Sequence, residues 1–140
     1  MTTLTVLTYN TLFAGRDGND DRRAHAQAEL LNELKPDVFL MQEAKGFDTN
    51  GGAELYRLEQ RIGMRGFLAV APRTGQNIAI FIRAPLRPLS FEADSANFHH
   101  TLAALKIAVP GHGQFITFIS AHLCPNGPEV RRREAARHEA

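Results

Sequence analysis

Three polar residues of different chemistry stand where apolar runs of this sequence end. Asn10 follows LTVLTY, Glu43 follows VFLMQ, and His122 follows FITFISA. A strand that ends at the edge of a sheet can hold a side chain rigidly in a crevice, so the three side chains can face one site. A carboxylate, a carboxamide and an imidazole together suit metal-assisted attack on a phosphate.

Each of these residue types has a separate task in such chemistry. Mg²⁺ takes oxygen ligands and keeps several waters, so a carboxylate, an amide oxygen and a substrate phosphate suffice to hold it. Histidine can donate a hydrogen bond to a phosphate oxygen or move a proton near neutral pH. Taken singly, the same residues have ordinary structural explanations: a turn asparagine, a solvated carboxylate and a half-buried histidine. Only their combination favours a site.

The elements that must position these residues follow from hydrophobic periodicity and turn residues. The predicted order is a strand, a helix, a strand, a second helix, about four strands and a closing helix that begins near Pro128. The later strands are predicted at FLAVA, NIAIFIRA, LAALKIAV and QFITFISAHL, with PGHG as a hairpin turn between the last two. This order indicates an α/β protein whose mixed sheet has helices packed on one face.

Composition and charge narrow the class of protein. With 140 residues, 44% hydrophobic and 22% charged, the sequence is typical of one soluble globular domain without a transmembrane segment. Its first residues resemble a strand rather than a signal peptide, so a cytoplasmic protein is the default expectation. The single Cys124 excludes an internal disulfide. No glycine-rich phosphate loop is present, which argues against a nucleotide-binding domain.

Four stretches resemble, in order, the first motifs of the endonuclease/exonuclease/phosphatase superfamily, the group of deoxyribonuclease I. They are LTVLTYNTL, PDVFLMQEA, GQNIAIFIRAPL and FITFISAHLCPNGPEVRRREA. The resemblance implies a metal-dependent phosphoric ester hydrolase built as a four-layer α/β sandwich, in which two mixed sheets pack face to face with helices outside. Such a domain takes roughly 250 residues. Residues 1–140 are therefore expected to form its N-terminal half, without the later Asp-x-Asn and Asp-His motifs.

The resemblance also implies a role for each candidate residue. Glu43 matches the metal-ligand glutamate, Asn10 matches the asparagine that helps organise metal and phosphate, and His122 matches the histidine that contacts the scissile phosphate. Asn77 matches an asparagine of the G-N-A-I-L-S-R stretch, although Gln76 intervenes after Gly75. It is a substrate-binding candidate or simply a residue at a strand start. Mg²⁺ is the implied cofactor, with Mn²⁺ as the alternative.

Two functions remain open from the sequence. The first is a Mg²⁺-dependent phosphoesterase or nuclease that is active when complete and inactive as this fragment. The second is a non-catalytic fragment or degenerate paralogue that acts as a binding module. The substrate stays open among nucleic acid, phospholipid and inositol phosphate. Half a sandwich leaves an apolar sheet face uncovered, which predicts marginal stability or self-association. His99 and His100 precede a strand and could reach the same crevice, although such a pair is more often surface polar sequence. The run Arg131, Arg132, Arg133 could meet a nucleic-acid or phosphoinositide backbone through charge, although a solvated helix face is the simpler explanation.

Overall fold

The chain folds into two sheets and three helices in a computed structural model that describes residues 3–125 and 127–139. Met1, Thr2, Asn126 and Ala140, which belong to the predicted domain, lie outside the described residues. The strands are β1 (Val6–Asn10), β2 (Val38–Gln42), β3 (Arg65–Ala69), β4 (Ile78–Ile82), β5 (Arg87–Asp94), β6 (Leu102–Ala108) and β7 (Phe115–Ala121). The helices are α1 (Arg22–Leu34), α2 (Ala53–Ile62) and α3 (Pro128–Glu139).

The first sheet has the order β1-β2-β4-β3, and the second has the order β5-β6-β7. β1 and β2 are parallel, whereas every other pairing is antiparallel. Parallel neighbours need a crossover connection, which α1 provides. Because β1 and β2 run in the same direction, their last residues, Asn10 and Gln42, lie side by side.

The first sheet is covered on both faces. On one face α1 and α2 pack against a cluster that includes Leu31, Phe39 and Phe81, and the two phenylalanine rings stack with centroids 5.4 Å apart. On the other face the second sheet packs against Ile78 and Ile80. Burial on both faces explains why β4 is a continuous apolar run. The predicted α/β architecture, with helices on one face of a mixed sheet, is confirmed.

β5 is the one described strand that the sequence pattern does not predict. It contains Pro88, Glu92 and Asp94, and its register with β6 shifts between Pro88 and Ser90. Proline and a register shift are tolerated at a sheet edge, where one side of the strand has no hydrogen-bonding neighbour. The other six strands lie where the alternating or continuous apolar runs predict them.

The seam between the two sheets is open beside β1 and β7, the edge strands on that side. Val6 of β1 and Ile116 of β7 are 44% and 36% exposed, although each belongs to the face that points between the sheets. The second sheet packs on Ile78 and Ile80, so the expectation of an uncovered inner face is wrong for the middle of the first sheet, and exposed apolar side chains remain at this open edge. Self-association of this chain stays a prediction. In the described ranges, no helix has both the length and the apolar character to cross a membrane.

Candidate functional site

Asn10 and Glu43 are brought together at the carboxyl edge of the first sheet. Asn10 ends β1 next to Gln42 of β2, and Glu43 follows directly. Oδ1 of Asn10 accepts a hydrogen bond from the backbone N–H of Leu12 at 3.1 Å, and Oε1 of Glu43 accepts one from the N–H of Phe13 at 3.4 Å. The backbone amides of two adjacent residues, Leu12 and Phe13, therefore orient the side chains of Asn10 and Glu43.

The segment that orients them has an unusual backbone. Leu12, Phe13 and Ala14 have φ angles of 52°, 56° and 58°, and Glu43 has a φ of 58°. Non-glycine residues in this left-handed region each cost of order 1 kcal/mol and persist only where the surroundings hold them. The N–H of Ala14 donates to the carbonyl oxygen of Glu43 at 2.8 Å and fixes one segment to the other. Such strain clusters at functional sites.

The Glu43 carboxylate is poorly satisfied by the protein itself. The residue is 8% exposed, and the described residues give it no ion pair and only the long hydrogen bond from Phe13. A buried carboxylate normally has a cation or several donors as partners. Among the described residues, no three His, Cys, Asp or Glu side chains form a metal-binding group. The donors present, one carboxylate and one amide oxygen, fit a hard cation that keeps waters rather than a closed zinc site.

His122 lies at the same end of the seam, one residue beyond β7. Nε2 of Gln42 donates to Oγ of Ser120 at 3.0 Å and to Oγ1 of Thr8 at 3.1 Å, which joins the ends of both sheets. Residues two apart in a strand share a face, so the chain direction carries His122 toward the seam beside Ser120. Asn10, Glu43 and His122 thus lie toward one edge of the structure, and their action in a common site stays a prediction.

His100 is a buried partner of His122, so the preferred interpretation as a surface residue is wrong, and the alternative in which it reaches the His122 crevice fits the structure. The two imidazole rings stack with centroids 4.5 Å apart, and His100 is 6% exposed. Nδ1 of His100 contacts Oγ1 of Thr74 at 2.8 Å. Nε2 of His100 and Nδ1 of His122 are buried without a hydrogen-bond partner among the described residues. His99 is exposed, as expected, and lies edge-on to His100.

The pairing of β6 with β7 is the signal that could have identified His100. Leu102, the first residue of β6, lies opposite Ala121, the last residue of β7. The residues just before β6 therefore meet those just after β7, and a histidine pair before one strand reaches a histidine after the other. Periodicity predicts each strand but not their register, so this proximity depends on long-range pairing.

Asn77 is enclosed near the site and holds the loop that follows Glu43. Its side chain is fully buried; Oδ1 accepts from the N–H of Ala71 at 2.8 Å, and Nδ2 donates to the carbonyl oxygen of Ala44 at 3.0 Å and to Oδ1 of Asp48 at 2.9 Å. These three bonds use both amide hydrogens and one oxygen lone pair. A direct substrate contact by Asn77 stays a prediction.

Glu134 of α3 has a structural role that the sequence pattern did not indicate. It is 1% exposed and accepts hydrogen bonds from the N–H groups of His99 and Cys124, both at 2.9 Å. Arg131 donates to the carbonyl oxygens of Cys124 and Pro125, each at 2.9 Å. These contacts fasten the segment after His122 to α3. The Arg131 guanidinium thereby makes its hydrogen bonds within the chain. Arg132 and Arg133 are exposed, as predicted.

The buried position of His100 predicts a pH dependence of stability. The pKa of His100 lies below its ordinary value of 6.5, because burial disfavours the charged imidazolium and His122 and His99 add like charge, while Glu134 and Glu43 oppose the shift. Below pH 6.5 the unfolded chain therefore binds more protons at this residue than the folded chain does. Stability is expected to fall as the pH drops through that window.

The His100→Phe variant tests this dependence. Phenylalanine can still stack on His122 but cannot titrate, so the loss of unfolding free energy between pH 7 and pH 5 should be smaller in the variant. One titrating group contributes at most about 1.4 kcal/mol for each pH unit. Urea denaturation at several pH values measures the slope, and parallel curves for the two proteins would contradict the prediction.

The fold is similar to that of several solved structures. ANGEL2, a 2′,3′-cyclic phosphatase, matches with a TM-score of 0.80 and 16% identity over 95% of this chain and 45% of that chain. The catalytic domain of human Nocturnin with bound sulfate matches with a TM-score of 0.74 and 15% identity, over 97% and 57%. TDP2 from Caenorhabditis elegans matches with a TM-score of 0.72 and 19% identity, over 97% and 40%.

These similarities establish the fold. All three proteins are members of the endonuclease/exonuclease/phosphatase superfamily, and the resemblance of the sequence motifs predicted the fold of that superfamily. The chain spans about half the length of the structures that it matches. No protein-family profile and no curated protein sequence matches it.

Proposed function

We propose that this chain is part of a Mg²⁺-dependent phosphoesterase of the endonuclease/exonuclease/phosphatase type, with Mn²⁺ as a possible substitute. The observation that carries the proposal is the Glu43 carboxylate, which is buried with no cationic partner in the part of the chain that the structure describes and shares its orienting segment with Asn10. Its position at the sandwich edge with His122 supports the same conclusion. The similar fold of ANGEL2, a 2′,3′-cyclic phosphatase, is consistent with a phosphoester substrate.

Each candidate residue of this chain would have a separate role. Glu43 and Asn10 would hold the cation, which when bound stabilises negative charge that develops on the phosphate oxygens. His122 would donate a hydrogen bond to a phosphate oxygen, and His100 would hold its ring by stacking. Gln42 and Ser120 would keep the two sheet ends at a fixed separation. We further propose that the 140-residue chain alone is inactive and that the whole protein supplies the general base.

A Mg²⁺ titration of the 140-residue chain tests the proposal without requiring turnover. Backbone amide NMR signals of residues 10–13 and 43–46 are expected to shift saturably with Mg²⁺. The Glu43→Gln variant should lose this response because the anionic ligand is gone, whereas Glu33→Gln, at an exposed position of α1, should retain it. Equal responses of the two variants would contradict the assignment of Glu43 as the ligand.

The open seam favours a second candidate, a non-catalytic binding module. The exposed apolar residues Val6 and Ile116 lie where a partner could add to the sandwich. This function requires no cation at Glu43, so it predicts no site-specific response in the Mg²⁺ titration. The same experiment therefore distinguishes the two functions.

A further inference from the structure

A separate cavity of about 280 Å³ lies on the helix side of the first sheet. Its floor is apolar and belongs to the buried core, with Leu31 of α1 and Phe39 and Met41 of β2 each at most 2% exposed. Phe39 and Met41 alternate with Leu40 and Gln42 along β2, so this cavity lies on the opposite face of the strand from the seam. It is distinct from the edge that carries Asn10, Glu43 and His122.

The mouth of the cavity carries an excess of cations. Arg16, Arg57 and Arg61 line it together with only two carboxylates, Glu54 and Asp21. Glu54 is shared, because it accepts a hydrogen bond from Arg16 at 2.7 Å and another from Arg57 at 2.6 Å. The two guanidinium groups therefore share the single negative charge of Glu54. The net positive charge that remains attracts an anion to the mouth of the cavity.

Arg61 is the guanidinium with the least compensation. It has no carboxylate partner among the described residues, and its recorded side-chain contact is with Nε2 of His25 at 3.4 Å. The remaining carboxylate, Asp21, is itself 3.1 Å from the same His25 nitrogen. A guanidinium group presents donors in a planar fork that matches a carboxylate. Arg61 is thus positioned to receive an anionic group at the rim of an apolar cavity.

We propose that this cavity binds a small amphiphilic anion, with its apolar body on the floor and its carboxylate at Arg61. Ligand sites are mostly apolar with a few polar groups that set orientation, and their volumes begin near about 300 Å³. This cavity is at the lower limit, so the apolar body is no larger than about one aromatic ring with a short chain.

A ligand bound in the cavity should affect the orientation of Glu43. Ala14 and Arg16 form part of the lining, and the N–H of Ala14 donates to the carbonyl oxygen of Glu43 at 2.8 Å. A ligand packed against Ala14 would stabilise the left-handed segment from Leu12 to Ala14 in the conformation that orients Glu43. The ligand is therefore expected to raise the affinity for Mg²⁺, and Mg²⁺ to raise the affinity for the ligand by the same factor. This consequence rests on the proposed function, whereas ligand binding does not.

The test uses 4-phenylbutyrate and its uncharged analogue 4-phenylbutanamide as probes. Each is titrated into the 140-residue chain in Mg²⁺-free buffer and followed by amide NMR shifts of residues that line the cavity. The carboxylate is expected to bind about tenfold more tightly than the amide, the usual size of a charged hydrogen-bond effect. Arg61→Gln, a surface change that spares the core, should remove this preference. Equal binding of acid and amide to the unaltered chain would overturn the anion assignment.

Two alanine variants of α1 locate the binding. Ala24 lines the cavity, so Ala24→Leu should fill it and abolish binding of both probes. Ala26 is exposed on the same helix and does not line this cavity, so Ala26→Leu should bind both probes as the unaltered chain does. Absence of saturable binding to the unaltered chain would overturn the proposal, as would undiminished binding to a folded Ala24→Leu variant. Because these titrations contain neither Mg²⁺ nor a phosphoester, they leave the proposed function untouched.

Discussion

Under the proposed phosphoesterase function, Glu43→Gln is expected to lower phosphoester turnover of the whole protein by about 10³-fold, an effect of the size seen when a stabilising group is removed from a developing charge. Glutamine has nearly the same shape and can still accept the hydrogen bond from the N–H of Phe13. It lacks the negative charge that would hold the cation. The measurement is kcat/KM against a panel of phosphodiesters and phosphomonoesters as a function of Mg²⁺ concentration.

The matched control is Glu33→Gln, which makes the same change at an exposed position of α1. Its kcat/KM should equal that of the unaltered protein. Glu43→Gln should also unfold at nearly the same temperature as the unaltered protein, because the substitution conserves side-chain volume. Turnover within twofold of the unaltered protein would remove Glu43 from the mechanism. A large drop in melting temperature would instead assign the lost activity to lost folding.

The fold could be predicted from the sequence wherever one strand or helix carries its own pattern. The continuous run of β4 indicates burial on both faces, and the alternation of β1 indicates a strand with one face toward the core. β5 has neither pattern, because it carries Pro88, Glu92 and Asp94, and a strand at a sheet edge tolerates proline and charge.

The site shows the same division between local and long-range information. Asn10, Glu43 and His122 could be nominated because each ends an apolar run. The burial of His100 and Glu134 could not be predicted, because it depends on the register of β6 with β7 and on the docking of α3. Leu12, Phe13 and Ala14 adopt left-handed conformations although none of them is glycine, so the sequence does not indicate these conformations. The candidate residues are thus visible in the sequence, whereas the burial of the residues that hold them in place can be seen only in the folded chain.

Asn77→Ala is expected to lower the free energy of unfolding by about 3 kcal/mol, because two buried hydrogen bonds and one partly buried bond are lost together and their partners are left behind. The N–H of Ala71, the carbonyl oxygen of Ala44 and the carboxylate of Asp48 would each lose a bond to this side chain. Asn97→Ala is the control, since Asn97 is exposed and bonds to the carboxylate of Asp94 at 3.0 Å. The control should change stability by less than about 1 kcal/mol.

The same variant separates the two roles that the sequence left open for Asn77. If Asn77 holds the loop after Glu43, the stability loss should come with weaker Mg²⁺ binding, because Ala44 and Asp48 are released beside the cation ligand. If Asn77 contacts the substrate directly, KM should rise while urea denaturation curves stay close to those of the unaltered protein. The fully buried side chain and its three bonds favour the first outcome. A stability loss below about 1 kcal/mol would contradict it, since leaving buried groups unpaired costs more than that.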